Sequence, residues 1–389
     1  MKGARAGALA VASALALAAC GSGGPPASSA ASGAAGAPGA ASMATSIAAG
    51  SDTWAVVPMA ADPPFWEVFA RTGNSGSWKL VTPPGVADNG GLVAAAGGAK
   101  SLTVAVRPSQ DLVFSPLAQT ADGGASWSPG GPIDAAVAAS PDAFAADGAH
   151  LAALLSDGTV ETSSDAGASW SALAKPGAIA ASPAGKGCGG AVRVTSISFG
   201  ITGADLLAGG TCGTSGTAAL FAYSPGRGWQ RLSLPVPGPV VRLTAGMALV
   251  RGKSGLAALW RATGWYAYAP AVPAAPPPAP AGWTESAPLP RPGPVLASGP
   301  LSLGAAWVLL AGGRAATVSA LGTTSGRPQW RLLPPAPAHT AVLASGPGGA
   351  VDALAVSGET LTVWRLAANA AAWSQAQRIS VPVQLGSSG

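Results

Sequence analysis

Side chains that could perform acid–base or metal chemistry are scarce in this chain. The two histidines, His150 and His339, each lie beside a predicted strand start, and we interpret both as surface or strand-edge residues. Asp122 and Asp165 occupy matching positions in two similar segments. They could be interpreted as a catalytic pair or as calcium ligands. Glycine-rich pieces occur without the strand–loop–helix context of a phosphate cradle. The residue types therefore predict no catalytic residue, no metal and no cofactor, and they favour a protein that is not an enzyme.

Both aspartates belong to an eight-residue pattern, Ser/Thr-x-Asp-x-Gly-x-Ser-Trp, whose two copies lie 43 residues apart. Aspartate folds its carboxylate onto backbone N–H groups in turns, glycine allows positive φ, and serine can satisfy a further backbone group. Tryptophan then buries a large apolar surface and keeps one polar N–H. The spacing is about that of one four-stranded propeller blade. The pattern residues are Thr120, Asp122, Gly124, Ser126, Trp127, Ser163, Asp165, Gly167, Ser169 and Trp170.

This pattern resembles the Asp-box (bacterial neuraminidase repeat), which is found in the β-propellers of sialidases and of many non-enzymatic relatives. The resemblance implies that the boxes lie at the periphery of the blades and that their aspartates are structural. A sialidase would also need an arginine triad, a tyrosine nucleophile assisted by glutamate, and an aspartate acid/base. The Phe/Tyr-Arg-Ile-Pro phrase of that family has no counterpart here. Arg193, Arg242 and Arg261 fall on different predicted strands, and their spacing leaves open whether they converge.

Tryptophans recur after turn-like segments along the whole chain, and short apolar runs with turn signals precede them. We therefore predict an all-β fold, a seven-bladed β-propeller formed by residues 46–389. A β-sandwich or two smaller fused β domains is the alternative. A strand from one terminus is expected to close the ring, either residues 43–48 or residues 376–385. The predicted repeats end near Trp78, Trp127, Trp170, Trp229, Trp265 or Trp283, Trp330 and Trp373.

The N-terminus has the order of a secretory signal: charged Lys2 and Arg5, an apolar segment over residues 6–16, and small residues before Cys20. Leu17-Ala-Ala-Cys20 resembles the lipobox of bacterial lipoproteins. The resemblance implies that residues 1–19 are removed and that Cys20 becomes the lipidated N-terminus. Several acyl chains on one residue give lasting membrane attachment. A plain secreted protein is the alternative.

Residues 20–45 are mostly Gly, Ala, Ser and Pro, without a charged side chain. Such a segment cannot bury enough apolar surface to fold, so we predict a flexible tether. Loss of Lys2 and Arg5 with the signal would lower the formal net charge from +5 to +3. This small charge predicts no nucleic-acid partner.

Two cysteines remain after the anchor, Cys188 and Cys212, with an alternating apolar run between them and a turn signal near residue 200. An antiparallel hairpin that closes there would bring both cysteines within disulfide distance. Free thiols or a metal pair are the alternatives, although two cysteines without histidines make a poor metal site.

Together these features predict a lipid-anchored β-propeller on the extracytoplasmic face of the cell membrane. We expect a monomer that acts as a binding or assembly scaffold for an envelope protein or glycan. A glycan-binding protein or sialidase-like glycoside hydrolase is the alternative function.

Overall fold

The computed structural model describes residues 44–381 with the exception of 50, 60–64, 74–75, 85–91, 97, 107–116, 130–140, 200–204, 215, 237, 245–246, 262–282, 291, 303 and 320–326. In this part of the chain, 28 strands form seven four-stranded antiparallel sheets, and the predicted seven-bladed propeller is confirmed. Cys20, the preceding signal segment and most of the tether lie outside the described residues. Within those residues, no helix combines the length and the apolar character needed to span a bilayer.

Each blade consists of four strands that are consecutive in sequence. From the innermost to the outermost strand, blades 1 to 4 are β1 (Thr45–Ala49), β2 (Asp52–Met59), β3 (Phe65–Arg71), β4 (Lys79–Leu80); β5 (Leu92–Ala96), β6 (Leu102–Val106), β7 (Leu117–Thr120), β8 (Ser128–Pro129); β9 (Pro141–Asp147), β10 (His150–Leu155), β11 (Val160–Ser163), β12 (Ser171–Ala174); and β13 (Val192–Phe199), β14 (Leu206–Cys212), β15 (Thr217–Ser224), β16 (Gly228–Leu232). Blades 5 to 7 are β17 (Val240–Thr244), β18 (Met247–Gly252), β19 (Gly255–Arg261), β20 (Trp283–Glu285); β21 (Val295–Ser302), β22 (Ala305–Leu310), β23 (Arg314–Ser319), β24 (Arg331–Leu332); and β25 (Thr340–Ser345), β26 (Val351–Ser357), β27 (Thr360–Leu366), β28 (Ser374–Ser380).

Three short helical segments complete the described elements. A helix α1 (Ala178–Ala181) and a 3-10 helix (Pro183–Cys188) connect blade 3 to blade 4, and a second 3-10 helix (Pro347–Gly349) lies between β25 and β26. Blade 5 ends at β20, so Trp283 rather than Trp265 begins its last strand. Trp265 and the proline-rich run lie among residues 262–282, outside the described part.

The apolar core lies between the blades because each sheet is buried on both faces. Trp54 and Val56 of β2 pack against blade 2, whereas the alternate residues Ala55 and Val57 pack against blades 6 and 7. Side chains on a strand point alternately to the two faces, so a strand covered on both sides needs a nearly continuous apolar run. This requirement explains the short apolar segments that precede each predicted turn.

Burial of the tryptophans is less uniform than the sequence predicts. Trp78 and Trp170 are buried, as expected, but Trp127, Trp229 and Trp373 are only half-buried. Trp170 lies between blades 2 and 3, with its ring edge-on to Phe144 at a centroid distance of 5.7 Å.

The prediction that a terminal strand closes the ring is wrong. β1 is the innermost strand of blade 1 and β28 is the outermost strand of blade 7, so each terminal strand stays in its own sheet. The two blades are joined through side chains instead. The carboxylate of Asp352 on β26 is fully buried and accepts hydrogen bonds from Arg365 Nε (2.7 Å) and from Trp78 Nε1 (3.0 Å).

Three further contacts cross the same seam between blades 1 and 7. The Arg71 guanidinium donates to the Ser345 carbonyl (3.0 Å), and the Arg365 guanidinium donates to the Gly76 carbonyl (3.1 Å). The Gln377 amide pairs with the Trp78 backbone, accepting from its N–H at 2.7 Å and donating to its carbonyl at 2.8 Å. Polar contacts therefore replace the strand exchange that we expected.

Asp352→Ala tests this closure. Removing the carboxylate leaves the Arg365 guanidinium and the Trp78 N–H without their buried acceptor, and we expect a loss of about 3–5 kcal/mol in unfolding free energy. Urea denaturation measures this loss. The matched control is Glu285→Ala, because Glu285 pairs with Arg327 at 3.5 Å near the surface and should contribute less than about 1 kcal/mol. Equal losses in both variants would contradict the closure described here.

Trp170→Ala tests the packing between blades. Truncating this buried indole should cost roughly 3–5 kcal/mol, since the interface leaves a cavity that neighbouring strands fill only in part. Trp127→Ala is the control, and it should cost clearly less because Trp127 is half-buried. Thermal unfolding of both variants gives the comparison. An unchanged melting temperature for Trp170→Ala would mean that this indole does not hold blades 2 and 3 together.

Candidate functional site

The two eight-residue phrases form turns with matching hydrogen bonds. In the second copy, Ser163 Oγ donates to Asp165 Oδ1 (2.7 Å) and accepts from the Gly167 N–H (2.8 Å). The other carboxylate oxygen of Asp165 accepts from Ser169 Oγ at 2.6 Å, and Oδ1 also accepts from the Ser169 N–H at 2.9 Å. The Ser169 hydroxyl therefore bonds to the carboxylate and not to a backbone group, which corrects our expectation for this serine.

The first copy repeats this network. Thr120 Oγ1 donates to Asp122 Oδ1 (2.8 Å), and Asp122 accepts from both the backbone and the hydroxyl of Ser126. Gly124 has a φ of 88° and Gly167 in the second copy has 84°, which confirms the predicted left-handed conformation.

Hydrogen bonds to the ionised carboxylates lower the pKa values of both aspartates. The Ser169 hydroxyl, the Ser169 N–H and the Ser163 hydroxyl lower the pKa of Asp165 to about 2. The pKa of Asp122 is lowered by the corresponding groups, the Ser126 hydroxyl first. Every oxygen of these carboxylates accepts a hydrogen bond from its own turn. This structural role is enough to explain why each phrase contains an aspartate, with no need for a metal-binding or catalytic role. Across the described residues, no three His, Cys, Asp or Glu side chains are grouped so that they could hold a metal ion.

The indole N–H groups of the two phrases bond to different backbone carbonyls. Trp170 Nε1 donates to Gly167 O within its own turn (3.1 Å), whereas Trp127 Nε1 donates to Val81 O of blade 1 (2.9 Å). The first phrase therefore also fixes blade 2 to blade 1.

The predicted disulfide between Cys188 and Cys212 is present, with a Cα–Cα distance of 4.8 Å. β13 and β14 form the predicted hairpin, and Val192 pairs with Cys212 at its open end. Cys188 does not lie on a strand as expected. It ends the 3-10 helix before β13, so the bond fixes the connection from blade 3 to blade 4.

The residues of a sialidase site are not brought together in the described part of the chain. Tyr223 lies on β15, the third strand of blade 4, and Arg261 lies on β19, the third strand of blade 5. Arg193 and Arg242 lie on innermost strands, but Arg193 is exposed. The other two tyrosines, Tyr266 and Tyr268, lie outside the described residues. His150 is exposed at the start of β10, and His339 lies in the turn before β25.

Arg242 is the notable side chain at the centre of the ring. It lies on β17 of blade 5, and its Nη2 donates to Thr45 Oγ1 of blade 1 at 3.0 Å. The same hydroxyl donates to the Ser298 carbonyl of blade 6 at 3.1 Å. The side chain of Arg242 thus joins innermost strands of blades that are not neighbours along the chain.

This arginine has no carboxylate partner among the described residues. Its Nε has no hydrogen-bond partner and no exposed surface, although other parts of the side chain remain accessible to solvent. Burial lowers the pKa of the Arg242 guanidinium. The hydroxyl of Ser298 is also buried without a hydrogen-bond partner. The Arg242 guanidinium, with Thr45 as its hydrogen-bond partner and no carboxylate, is a candidate site for an anionic group. The sequence singles out Arg242 but does not indicate that it lacks a carboxylate partner among the described residues.

Comparison with known proteins shows the fold. No protein-family model and no curated protein matches the chain. Among solved structures, YCF48 from Cyanidioschyzon merolae is 15% identical, with 84% of this chain and 93% of that chain covered and a TM-score of 0.46. A structure titled YCF48 bound to D1 peptide is 14% identical, with coverages of 90% and 95% and a TM-score of 0.43. A putative 6-phosphogluconolactonase from Bacteroides fragilis is 10% identical, with coverages of 85% and 96% and a TM-score of 0.50. At these identities the likeness is one of architecture.

Proposed function

We propose that this protein is a lipid-anchored binding or assembly scaffold on the extracytoplasmic face of the cell membrane. The lipobox ending at Cys20 and the tether that follows support the anchor. The Cys188–Cys212 disulfide supports an oxidising compartment, because disulfides persist outside the reducing cytosol.

Arg242 is the observation that supports a binding role. A partly buried guanidinium whose Nε has no hydrogen-bond partner, and which bonds to a hydroxyl rather than to a carboxylate, raises the free energy of the folded protein. A carboxylate supplied by a partner would offset this cost, and the planar guanidinium favours two parallel hydrogen bonds to such a group. We infer that an acidic group of an envelope protein enters the centre of the ring and binds at Arg242.

A sialidase-like hydrolase has less support. Its arginine triad would need three arginines at the centre, whereas Arg261 lies on the third strand of its blade and Arg193 is exposed. The tyrosine that the structure describes, Tyr223, lies two strands away from the innermost strand of blade 4.

Cys20→Ala tests the anchor. Without the thiol no acyl chain can be attached, and we expect the protein to move from the detergent-extracted membrane fraction to the soluble fraction. Fractionation of cells that express either form gives the answer. Continued membrane partition of the variant would contradict lipidation at this residue.

Arg242→Gln tests the binding role. Affinity purification of the anchored protein from native envelopes, after mild cross-linking, should recover partners at least about 5-fold less well with this variant, in line with the loss of one charge-assisted contact. The melting temperature should stay the same or rise, since an uncompensated charge is removed. Arg193→Gln is the control, because Arg193 is exposed on the innermost strand of blade 4. Recovery of the same proteins in the same amounts with Arg242→Gln would contradict this function.

A further inference from the structure

An open groove lies between blades 3 and 4, next to the second eight-residue turn. Its volume is about 300 Å³, at the lower end of the range for small-molecule sites in proteins. Arg242 is not among the residues that line this groove, so the groove is a different site.

The blade 4 wall of this groove is apolar and aromatic. Phe199, Leu206 and Tyr223 are neighbours across three adjacent strands, because Leu206 pairs with both Phe199 and Tyr223. Tyr223 is half-buried and rests against Trp229 at a ring-centroid distance of 5.3 Å. Phe199 and Leu206 are buried, so Tyr223 is the side chain of the three that presents the largest exposed fraction to the groove.

The blade 3 wall is rich in hydroxyl groups. Thr162, Ser164 and Ser171 all line the groove, and the two serines are exposed. The exposed imidazole of His150 lies at one end, with its ring 6.5 Å from that of Phe199 across the groove. Among the residues that the structure describes, no Asp, Glu, Lys or Arg lines the groove.

A smaller groove between blades 2 and 3 occupies the equivalent place and serves as an internal comparison. Its volume is about 160 Å³. Gln119 of blade 2 spans it and donates to the Ala166 carbonyl of blade 3. In the repeat alignment Thr162 takes the place of Gln119, and Ser164 takes the place of Ala121. The groove between blades 3 and 4 is therefore open where the smaller groove is bridged by Gln119. It also has an additional hydroxyl group, that of Ser164.

The walls that face these residues also differ between the two grooves. Ala146 and Gly148 of blade 3 line the smaller groove, where the larger groove has aromatic side chains from blade 4. The interface between blades 3 and 4 thus combines three differences: Thr162 in place of the bridging Gln119, the added hydroxyl of Ser164, and aromatic side chains on the blade 4 wall. Packing alone does not require this combination, because the smaller groove is built on the same turn without it.

We propose that the groove between blades 3 and 4 binds a neutral sugar ring of a glycan. A sugar presents an apolar C–H face and a rim of hydroxyl groups, which match an aromatic wall opposite a hydroxyl wall. The lack of charged lining residues disfavours sialic acid and other anionic ligands, since their charge would be desolvated without a partner. This site is additional to the proposed scaffold function and does not depend on the anchor or on Arg242.

Saturation-transfer NMR with the full-length protein, in a detergent that contains no sugar, tests the site. The probes are cellobiose, mannobiose and N,N′-diacetylchitobiose, with sialyllactose and a hexaproline peptide as comparisons. We expect at least one neutral disaccharide to bind with a dissociation constant of about 1 mM, as for a small and shallow site. Sialyllactose should not compete with it.

Two matched substitutions locate the binding. Ser171→Phe fills the groove from an exposed position, and Ser128→Phe places the same side chain at the equivalent position of the smaller groove. The first should weaken disaccharide binding at least about 10-fold, which corresponds to about 1.4 kcal/mol, and the second should leave it unchanged. Thr162→Gln, which reproduces the bridge made by Gln119, is a second variant with the same expected loss.

Three results would overturn the proposal. They are the lack of a response to any neutral disaccharide, binding that is equal in Ser171→Phe and in wild type, and binding of hexaproline alone. None of them would affect the partner recovery that tests Arg242, so the two proposals fail separately.

Discussion

The structure depends on the buried carboxylate of Asp352. Each of the seven sheets is a consecutive piece of the chain, so no strand ties the last blade to the first. Asp352 accepts hydrogen bonds from Arg365 within blade 7 and from the indole of Trp78 in blade 1. Trp78 and Asp352 are 274 positions apart in the sequence. The carboxylate would be costly to bury alone; Arg365 offsets part of that cost within blade 7, and the Trp78 N–H adds its hydrogen bond when the ring is closed. Full hydrogen bonding of this group therefore requires ring closure.

Burial on both faces of every blade follows from closure. The same strand sends alternate side chains into two different apolar clusters, as β2 does with Trp54 and Ala55. If blades 1 and 7 separated, half of these side chains in both blades would become exposed. The polar seam thus protects an apolar interface that could not form in an open array of blades.

Much of this architecture could be predicted from the sequence, because turns are local. The aspartate, glycine and serine of each eight-residue phrase bond to one another, so their types and spacing are readable without the rest of the fold. Blade number followed from tryptophan spacing, and the Cys188–Cys212 pair from the hairpin between them.

Features that depend on distant residues could not be predicted. Trp78 lies at the end of a predicted repeat, and nothing local indicates that its N–H meets Asp352. Arg242 meets Thr45 across the ring, 197 positions away, so its lack of a carboxylate partner is a property of the closed fold. The groove is open because Thr162 does not form the bridge between blades that Gln119 makes to Ala166, a contact between residues 47 positions apart. The groove between blades 3 and 4 therefore lies where the second phrase departs from the first.

A double-mutant cycle on Trp78 and Asp352 tests the central claim most directly. Trp78→Phe removes the indole N–H, Asp352→Asn removes the charge, and urea denaturation of the wild type, both single variants and the double variant gives the coupling. A ring closed through these residues predicts a coupling free energy of about 0.5–3 kcal/mol. Additive effects, within about 0.3–0.5 kcal/mol, would show that blades 1 and 7 do not meet at this carboxylate.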